Sequence, residues 1–325
     1  MLKSLLQITL LLCTMSALAE VPGQVSLDAG DYDKARAEVA AAAKAGESSE
    51  LTLMLGRISL AENKLDEAEK HIEHVIEDEP DNAEAHSLRG GLYGLKASRA
   101  SLFRAGRYAK QSLASLERAL ELDPELEEAL IGMIRFRLSA PRLLGGSKER
   151  ALKSIKKLQS VNPVAGGLQL ADLYGDQKDQ TRQLELLREL TESHANDPRA
   201  FVTLGYIMQQ QNEWEKAGIN FKAAVSAGKG APEHTSSVQA ARYQVGRSAV
   251  LSKTESTAEI NLGIAALSDY IDGPRFGDLP DLAWAHYRRG LLYERLGDRQ
   301  TEAEKDFSVA ATSSDRDLQR ALGGR

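Results

Sequence analysis

Apolar and polar positions along most of the chain follow the three- and four-residue spacing of amphipathic helices, and that spacing carries a longer beat. Leu55-Gly56 is followed by Ala68, Ile72 and Val75. Leu204-Gly205 is followed by Ala217, Phe221 and Ala224, and Gly246 by Ala258, Leu262 and Ala265. In each case twelve residues lead from the glycine to an alanine, then four and three more lead to further apolar positions. Gly290, with Tyr293, Ala303, Phe307 and Ala310, fits with one extra residue. Gly90 and Tyr93 open a further unit that Ala119 and Pro124 close. The pattern predicts pairs of helices in series and almost no strand.

Prolines punctuate the same beat. Pro80, Pro124, Pro163 and Pro198 are spaced by 44, 39 and 35 residues, each beyond an amphipathic stretch. Proline ends a helix and prepares the turn into the next one.

These units resemble the tetratricopeptide repeat, a helix–turn–helix unit of about 34 residues. The resemblance implies an all-α fold, an α-solenoid of stacked hairpins wound as a right-handed superhelix. About six units are expected across 49–312, after a half repeat in 20–48 that contains Gly30-Asp31-Tyr32. The fourth unit is degenerate, with Gln183 or Leu184 in place of the alanine. Residues 313–325 hold a capping helix and tail, with Asp315 to Leu322 helical and Ser314 as its N-cap. One hairpin cannot bury both of its apolar faces, so stability must come from stacking.

In arrays of this type the first helix of each pair lines a concave groove. On the face that points inward lie Arg57, Arg135, Arg199, Tyr206, Tyr243, Arg247, Trp284 and Tyr287. Tyr, Trp and Arg are the residues that dominate binding hot spots, and guanidinium forks grip carboxylates. The expected occupant is a protein or peptide segment with apolar and acidic side chains. Replacing Tyr243 and Arg247 by alanine is expected to abolish capture without loss of stability. Trp284 and Tyr287 have an alternative use, packing between neighbouring repeats.

Two units are longer than the rest: about ten residues are added between Gly90 and Ala119, and about five around Ala140 to Ser147. Both additions fall between the two helices of their unit, which predicts neighbouring positions on one edge. No acid occurs between Glu84 and Glu117, whereas Arg89, Lys96, Arg99, Arg104, Arg107 and Lys110 do. Arg135, Arg137, Arg142 and Lys148 follow in the next unit. Lys96, Arg99, Arg104, Arg107 and Lys110 therefore predict a basic edge, suited to an acidic partner or an anionic envelope polymer. Solvation with balancing acids from adjacent repeats is the alternative.

Composition narrows the setting. With 41 basic and 47 acidic residues the net charge is −6, which argues against nucleic-acid binding. Lys3, the apolar run Leu5 to Leu12, and Ala17-Leu18-Ala19 have the order of a secretory signal peptide over 1–19, with cleavage before Glu20. No later stretch is apolar enough to span a membrane. The single cysteine, Cys13, lies in that leader, so the mature chain has no disulfide or thiolate site. It also lacks an Asn-x-Ser/Thr sequon. Together these predict a periplasmic or secreted bacterial protein. His71 and His74 are the only clustered histidines, and neither a metal site, a cofactor fingerprint nor a catalytic motif is expected. The sequence thus points to a non-catalytic envelope adaptor, with a ligand carrier enclosing a small molecule in a central pore as the second reading.

Overall fold

The computed structural model describes residues 21–324 apart from 29, 232–233 and 276–278. The expected leader, with its Ala19–Glu20 junction, lies outside the described residues. Two helices come first, α1 (Gln24–Asp28) and α2 (Tyr32–Ala43). Seven hairpins follow among the described residues. Repeat one pairs α3 (Ser49–Ala61) with α4 (Leu65–Asp78), and repeat two pairs α5 (Ala83–Arg99) with α6 (Leu102–Leu122). Repeat three pairs α7 (Glu127–Ser139) with α8 (Lys148–Val161), and repeat four α9 (Pro163–Asp176) with α10 (Gln180–Ser193). Repeat five pairs α11 (Pro198–Gln210) with α12 (Trp214–Ala227), and repeat six α13 (Thr235–Leu251) with α14 (Thr257–Asp272). Repeat seven pairs α15 (Leu282–Leu296) with α16 (Gln300–Ala310), before α17 (Arg316–Gly323). Among the described residues there is no strand. The chain is an α-solenoid in which each helix packs on its neighbours in sequence.

The degenerate fourth unit, one of those expected from the sequence, is a complete hairpin. Gln183 takes the alanine position there, and its amide lies against Gly175, where an added Cβ would come within 2.7 Å of it.

Local chemistry sets the boundaries. Pro163 and Pro198 occupy the first turns of α9 and α11, and Asn162 and Asp197 cap those helices by accepting from the backbone N–H of Ala165 and Arg199. Asn63, Lys178, Asn212 and Lys253 adopt left-handed backbone in the turns inside repeats one, four, five and six, with φ of 64°, 60°, 59° and 55°. Gly297 does the same in repeat seven, with φ 79°. The left-handed residue reverses the chain in a short turn, at about 1 kcal/mol for each non-glycine residue.

Close approach of the two helices explains the glycines. A Cβ on Gly246 would lie 2.2 Å from Leu267 Cγ, and one on Gly205 2.6 Å from the Phe221 ring. Leu267 and Phe221 are fully buried, which stabilises each repeat by about 1.5–3 kcal/mol per side chain.

Repeat six corrects the sequence register. Its buried stripe is Gly263, Leu267 and Tyr270, five residues beyond the expected Ala258, Leu262 and Ala265, which are exposed. The longer turn between Leu251 and Thr257 delays α14, and the four-plus-three spacing recurs by coincidence on the outer face.

The two long units are built differently. In repeat two the extra residues lengthen the helices to 17 and 21 residues, leaving only Ala100 and Ser101 between them. Ser112 then takes the alanine position, and its hydroxyl donates to the Gly90 carbonyl at 2.7 Å. In repeat three the extra residues form a 3-10 turn, Arg142–Leu144, whose Leu144 packs with Ala109 and Leu113 of α6. Both additions meet on one edge.

At the C-terminal end, Leu318 of α17 is fully buried against Ala283 and Ala310. Asp315, rather than Ser314, caps this helix, accepting from the backbone of Asp317 and Leu318 at 2.8 and 3.1 Å.

Candidate functional site

The first helices of repeats one, two and three, together with α6, form the wall of a trough. One part, a cleft of about 370 Å³, is lined by Arg57 of α3, by Glu84, Leu88 and Gly91 of α5, and by Ile131 and Arg135 of α7. The other, about 670 Å³, runs toward the long edge past Leu60, Gly94, Leu95, Phe136 and Leu144. The two share Gly91, Leu116, Gly132 and Arg135 and are therefore one continuous feature. Its width comes from glycine: a Cβ on Gly91 would meet nothing within 4 Å.

Charges stand on the lip of this trough. Arg57 lies 3.5 Å from Glu84, with both side chains partly exposed. An ion pair in that setting is worth about 0–1 kcal/mol and opens readily for a competing carboxylate. Arg135 is exposed and makes no ion pair among the described residues. It also faces α9, where burial and then Asp176 push the Asp172 carboxyl up and Arg135 opposes them.

The later candidates are used internally. Arg199 grips Asp197, its own helix cap, at 2.6 Å. Burial alone would raise the Asp197 carboxyl; hydrogen bonds from Arg199 outweigh that and hold it below the usual aspartate value. Tyr243 is only 4% exposed, tilted against Tyr270 at 5.2 Å, and its hydroxyl accepts from Arg288. That burial corrects its assignment as a partner contact: the phenol fills the gap between repeats six and seven. Arg247 donates to Gln209 at 3.2 Å and lies over the Trp214 ring at 5.5 Å. Trp284 donates from its indole to Asp315 at 3.0 Å, and Tyr287 donates to the Ala321 carbonyl at 3.3 Å. Both pack under α17. Tyr206, 38% exposed and edge-on to Phe221 at 5.3 Å, is the late candidate that keeps an open ring face.

The basic edge also contracts. Lys96 pairs with Asp66 at 2.9 Å and Glu69 at 2.6 Å, and its side chain is 10% exposed. Arg137 is buried, joined to Glu117 at 3.0 Å and to the Gly145 carbonyl at 2.6 Å, and anchors the 3-10 turn. Arg89 reaches Glu73 at 3.2 Å. Arg99, Arg104, Arg107 and Lys110 remain exposed, joined by Arg142 and Lys148.

Sequence reasoning missed two groups. Arg288 sits between the rings of Tyr243 and Trp284, 5.0 and 4.7 Å away, and burial lowers its pKa. Asp306 is 3% exposed and accepts from Arg289 at 2.8 Å and sits 2.7 Å from His286 Nδ1. An acid on the buried face of a predicted helix was the available signal for it. His71 and His74 face different carboxylates, Glu67 and Asp78. Among the described residues no group of three or more His, Cys, Asp or Glu side chains is placed to hold a metal, and no helix is long and apolar enough to cross a membrane.

Fold and trough together define a stacked helical-hairpin array with an open inner wall. The Tetratricopeptide repeat family model matches residues 26–92, from α1 into α5. No curated protein sequence matches the chain. Among solved structures, it is similar to a tetratricopeptide repeat protein from Parabacteroides merdae, at 18% identity and TM-score 0.46, covering 67% of this chain and 80% of that one. It is also similar to a thermophilic TPR protein of Thermus thermophilus, at 14% identity and TM-score 0.40, covering 69% and 92%. A third is PilW, a type IV pilus biogenesis factor, at 14% identity and TM-score 0.41, covering 68% and 91%.

Proposed function

We propose that the protein is a non-catalytic adaptor of the bacterial cell envelope, periplasmic or secreted, that holds a segment of a protein partner in the trough of repeats one to three. The observation that carries this reading is the trough: an apolar wall spanning three consecutive hairpins, with Arg57 and Arg135 on its lip. Solenoids use extended concave surfaces of this kind for binding. Leu60, Leu88, Ile131 and Phe136 offer contacts to apolar side chains, and the two guanidinium groups offer forks for a carboxylate. The occupant is therefore an apolar segment with acidic side chains. The envelope setting rests on the leader-like order of residues 1–19. The glycine- and leucine-lined, open form of the trough favours an adaptor over an aromatic-lined carrier pore.

Crosslinking in intact cells followed by mass spectrometry identifies the partner, and a quantitative pull-down then tests the trough. Gly91→Leu projects a side chain into open space, so helical content and melting temperature hold or rise while capture falls about tenfold or more. Arg135→Glu has the same effect on capture through repulsion of the partner's acids. Undiminished capture by both variants overturns the reading.

A further inference from the structure

Where the long helices of repeat two meet the 3-10 turn of repeat three, two large apolar side chains stand in solvent. Phe103 is 95% exposed and Leu143 98%, against 61% for Ile219, the next most exposed large hydrophobic among the described residues. The two tips share one rim: a Cβ on Gly106, three residues after Phe103, would lie 3.9 Å from Leu144, the neighbour of Leu143. Phe103 is also off the buried stripe of its own helix, which runs through Ala109, Ser112, Leu116 and Ala119. Packing therefore does not explain it.

The rim is cationic. Arg99, Arg104, Arg107, Lys110, Arg142 and Lys148 are all exposed on it. Apart from Arg99, which donates to Asn63, none of these cations has a hydrogen-bond or ion-pair partner among the described residues; Arg107 lies over the Tyr108 ring at 5.1 Å. The next acids in sequence after Lys110 and Lys148 have other partners: Glu117 holds Arg137, and Glu149 holds Lys153 at 3.2 Å. In a chain of net charge −6 this local excess is built against the overall balance.

We infer that this rim docks on an anionic lipid surface, with Phe103 and Leu143 entering the interfacial layer and the surrounding guanidinium and ammonium groups holding phosphate headgroups. Stable attachment to a membrane surface takes two weak signals, here an apolar insertion and a basic patch, and both are present on one edge. A soluble polyanion would use the cations alone and leave the two apolar tips in water, so the tips decide for lipid. Arginine stems extend along apolar surface while their heads reach phosphate oxygens, which suits residues flanking an inserted ring. The trough reaches this rim at Gly106 and Leu144, but Phe103, Leu143 and the six cations do not line it, so the variants of either proposal leave the other's residues in place and each can fail alone.

The test is co-sedimentation of the full chain with vesicles of phosphatidylcholine alone or mixed with phosphatidylglycerol. Binding is expected only to the mixed vesicles. Phe103→Ala with Leu143→Ala lowers the partition coefficient about tenfold or more, with helical content unchanged because both side chains are exposed. Arg104→Gln with Arg107→Gln lowers it about 25-fold, at roughly fivefold per charge near the surface. Lys229→Gln with Lys305→Gln, the same charge change just after repeat five and in repeat seven, has no effect. Any contribution of the N-terminal segment is common to all four proteins. No binding to the mixed vesicles, or binding that the apolar pair leaves unchanged, overturns the proposal. So does equal capture on immobilised heparin with no dependence on Phe103 and Leu143, which would make the rim a polyanion site.

Discussion

Repeats one to three and repeats five to seven place side chains at the same inward positions of their first helices, and use them in opposite ways. In the early repeats small residues such as Gly91 and Gly94 leave space, and Arg135 lines it with no ion pair among the described residues. In the late repeats Tyr243, Trp284 and Tyr287, nearer the start of their helices, fill the wall instead and spend their polar atoms on Arg288, Asp315 and the Ala321 carbonyl. A residue type typical of binding hot spots is therefore no guide to binding by itself. What matters is whether a neighbouring element has already claimed it, and α17 claims two of these three.

The largest effect expected from this contrast is at Tyr243. Tyr243→Ala should destabilise by about 3–5 kcal/mol, the cost of truncating a buried aromatic, and also removes the hydroxyl that Arg288 donates to. Tyr206→Ala, at a ring 38% exposed, should cost under about 1 kcal/mol. Chemical denaturation of the two variants checks this. Equal losses would erase the distinction between a filled and an open wall. The Tyr243 and Arg247 double substitution expected from sequence to spare stability is thus expected to fail on stability first.

A second comparison sets the buried Asp306 pair against the exposed Arg57–Glu84 pair. Asp306→Asn leaves Arg289 without its carboxylate and should cost about 3 kcal/mol at neutral pH, whereas Arg57→Ala should cost under about 1 kcal/mol. The pH dependence has a definite sign. Burial would raise the Asp306 carboxyl, but hydrogen bonds from Arg289 and His286 outweigh it, so its folded pKa lies below the unfolded value of about 3.9. Its stabilisation is then fully present above that value and is lost as pH falls through the folded pKa. Thermal melts from neutral to acid pH should show wild type and Asp306→Asn converging in acid. A constant gap at all pH values would count against the assignment.

The solenoid was legible because its signal is redundant. Glycine, alanine and large apolar residues recur at fixed offsets, and any three agreeing units reveal the beat. The register of repeat six was not legible: Ala258, Leu262 and Ala265 satisfy the same offsets as the buried Gly263, Leu267 and Tyr270, and only the length of the turn at Ser252–Ser256 decides between them. The site was half legible. Arg57 and Arg135 were placed on the open wall by counting, and the basic edge by its lack of acids. The occupancy of Tyr243, Trp284 and Lys96 was not, because their partners Arg288, Asp315 and Asp66 lie 45, 31 and 30 residues away. Phe103 and Leu143 went unremarked because single apolar residues in a sequence carry no sign of their exposure.

The smallest effect separates two glycines that look alike in sequence, each on the first helix of its repeat. At Gly246 an added methyl would sit 2.2 Å from Leu267 Cγ, a branch point that cannot swing aside without moving α14. Gly246→Ala should therefore cost about 1–3 kcal/mol by overpacking. At Gly91 the same methyl meets nothing within 4 Å, so Gly91→Ala should gain about 0.5–1 kcal/mol by removing backbone freedom from the unfolded chain. Opposite signs in paired denaturation curves would establish that close helix contact, not the repeat motif as such, fixes which glycines the array requires. Two losses of equal size would mean that repeat two closes in solution and that the trough is narrower than its glycines allow.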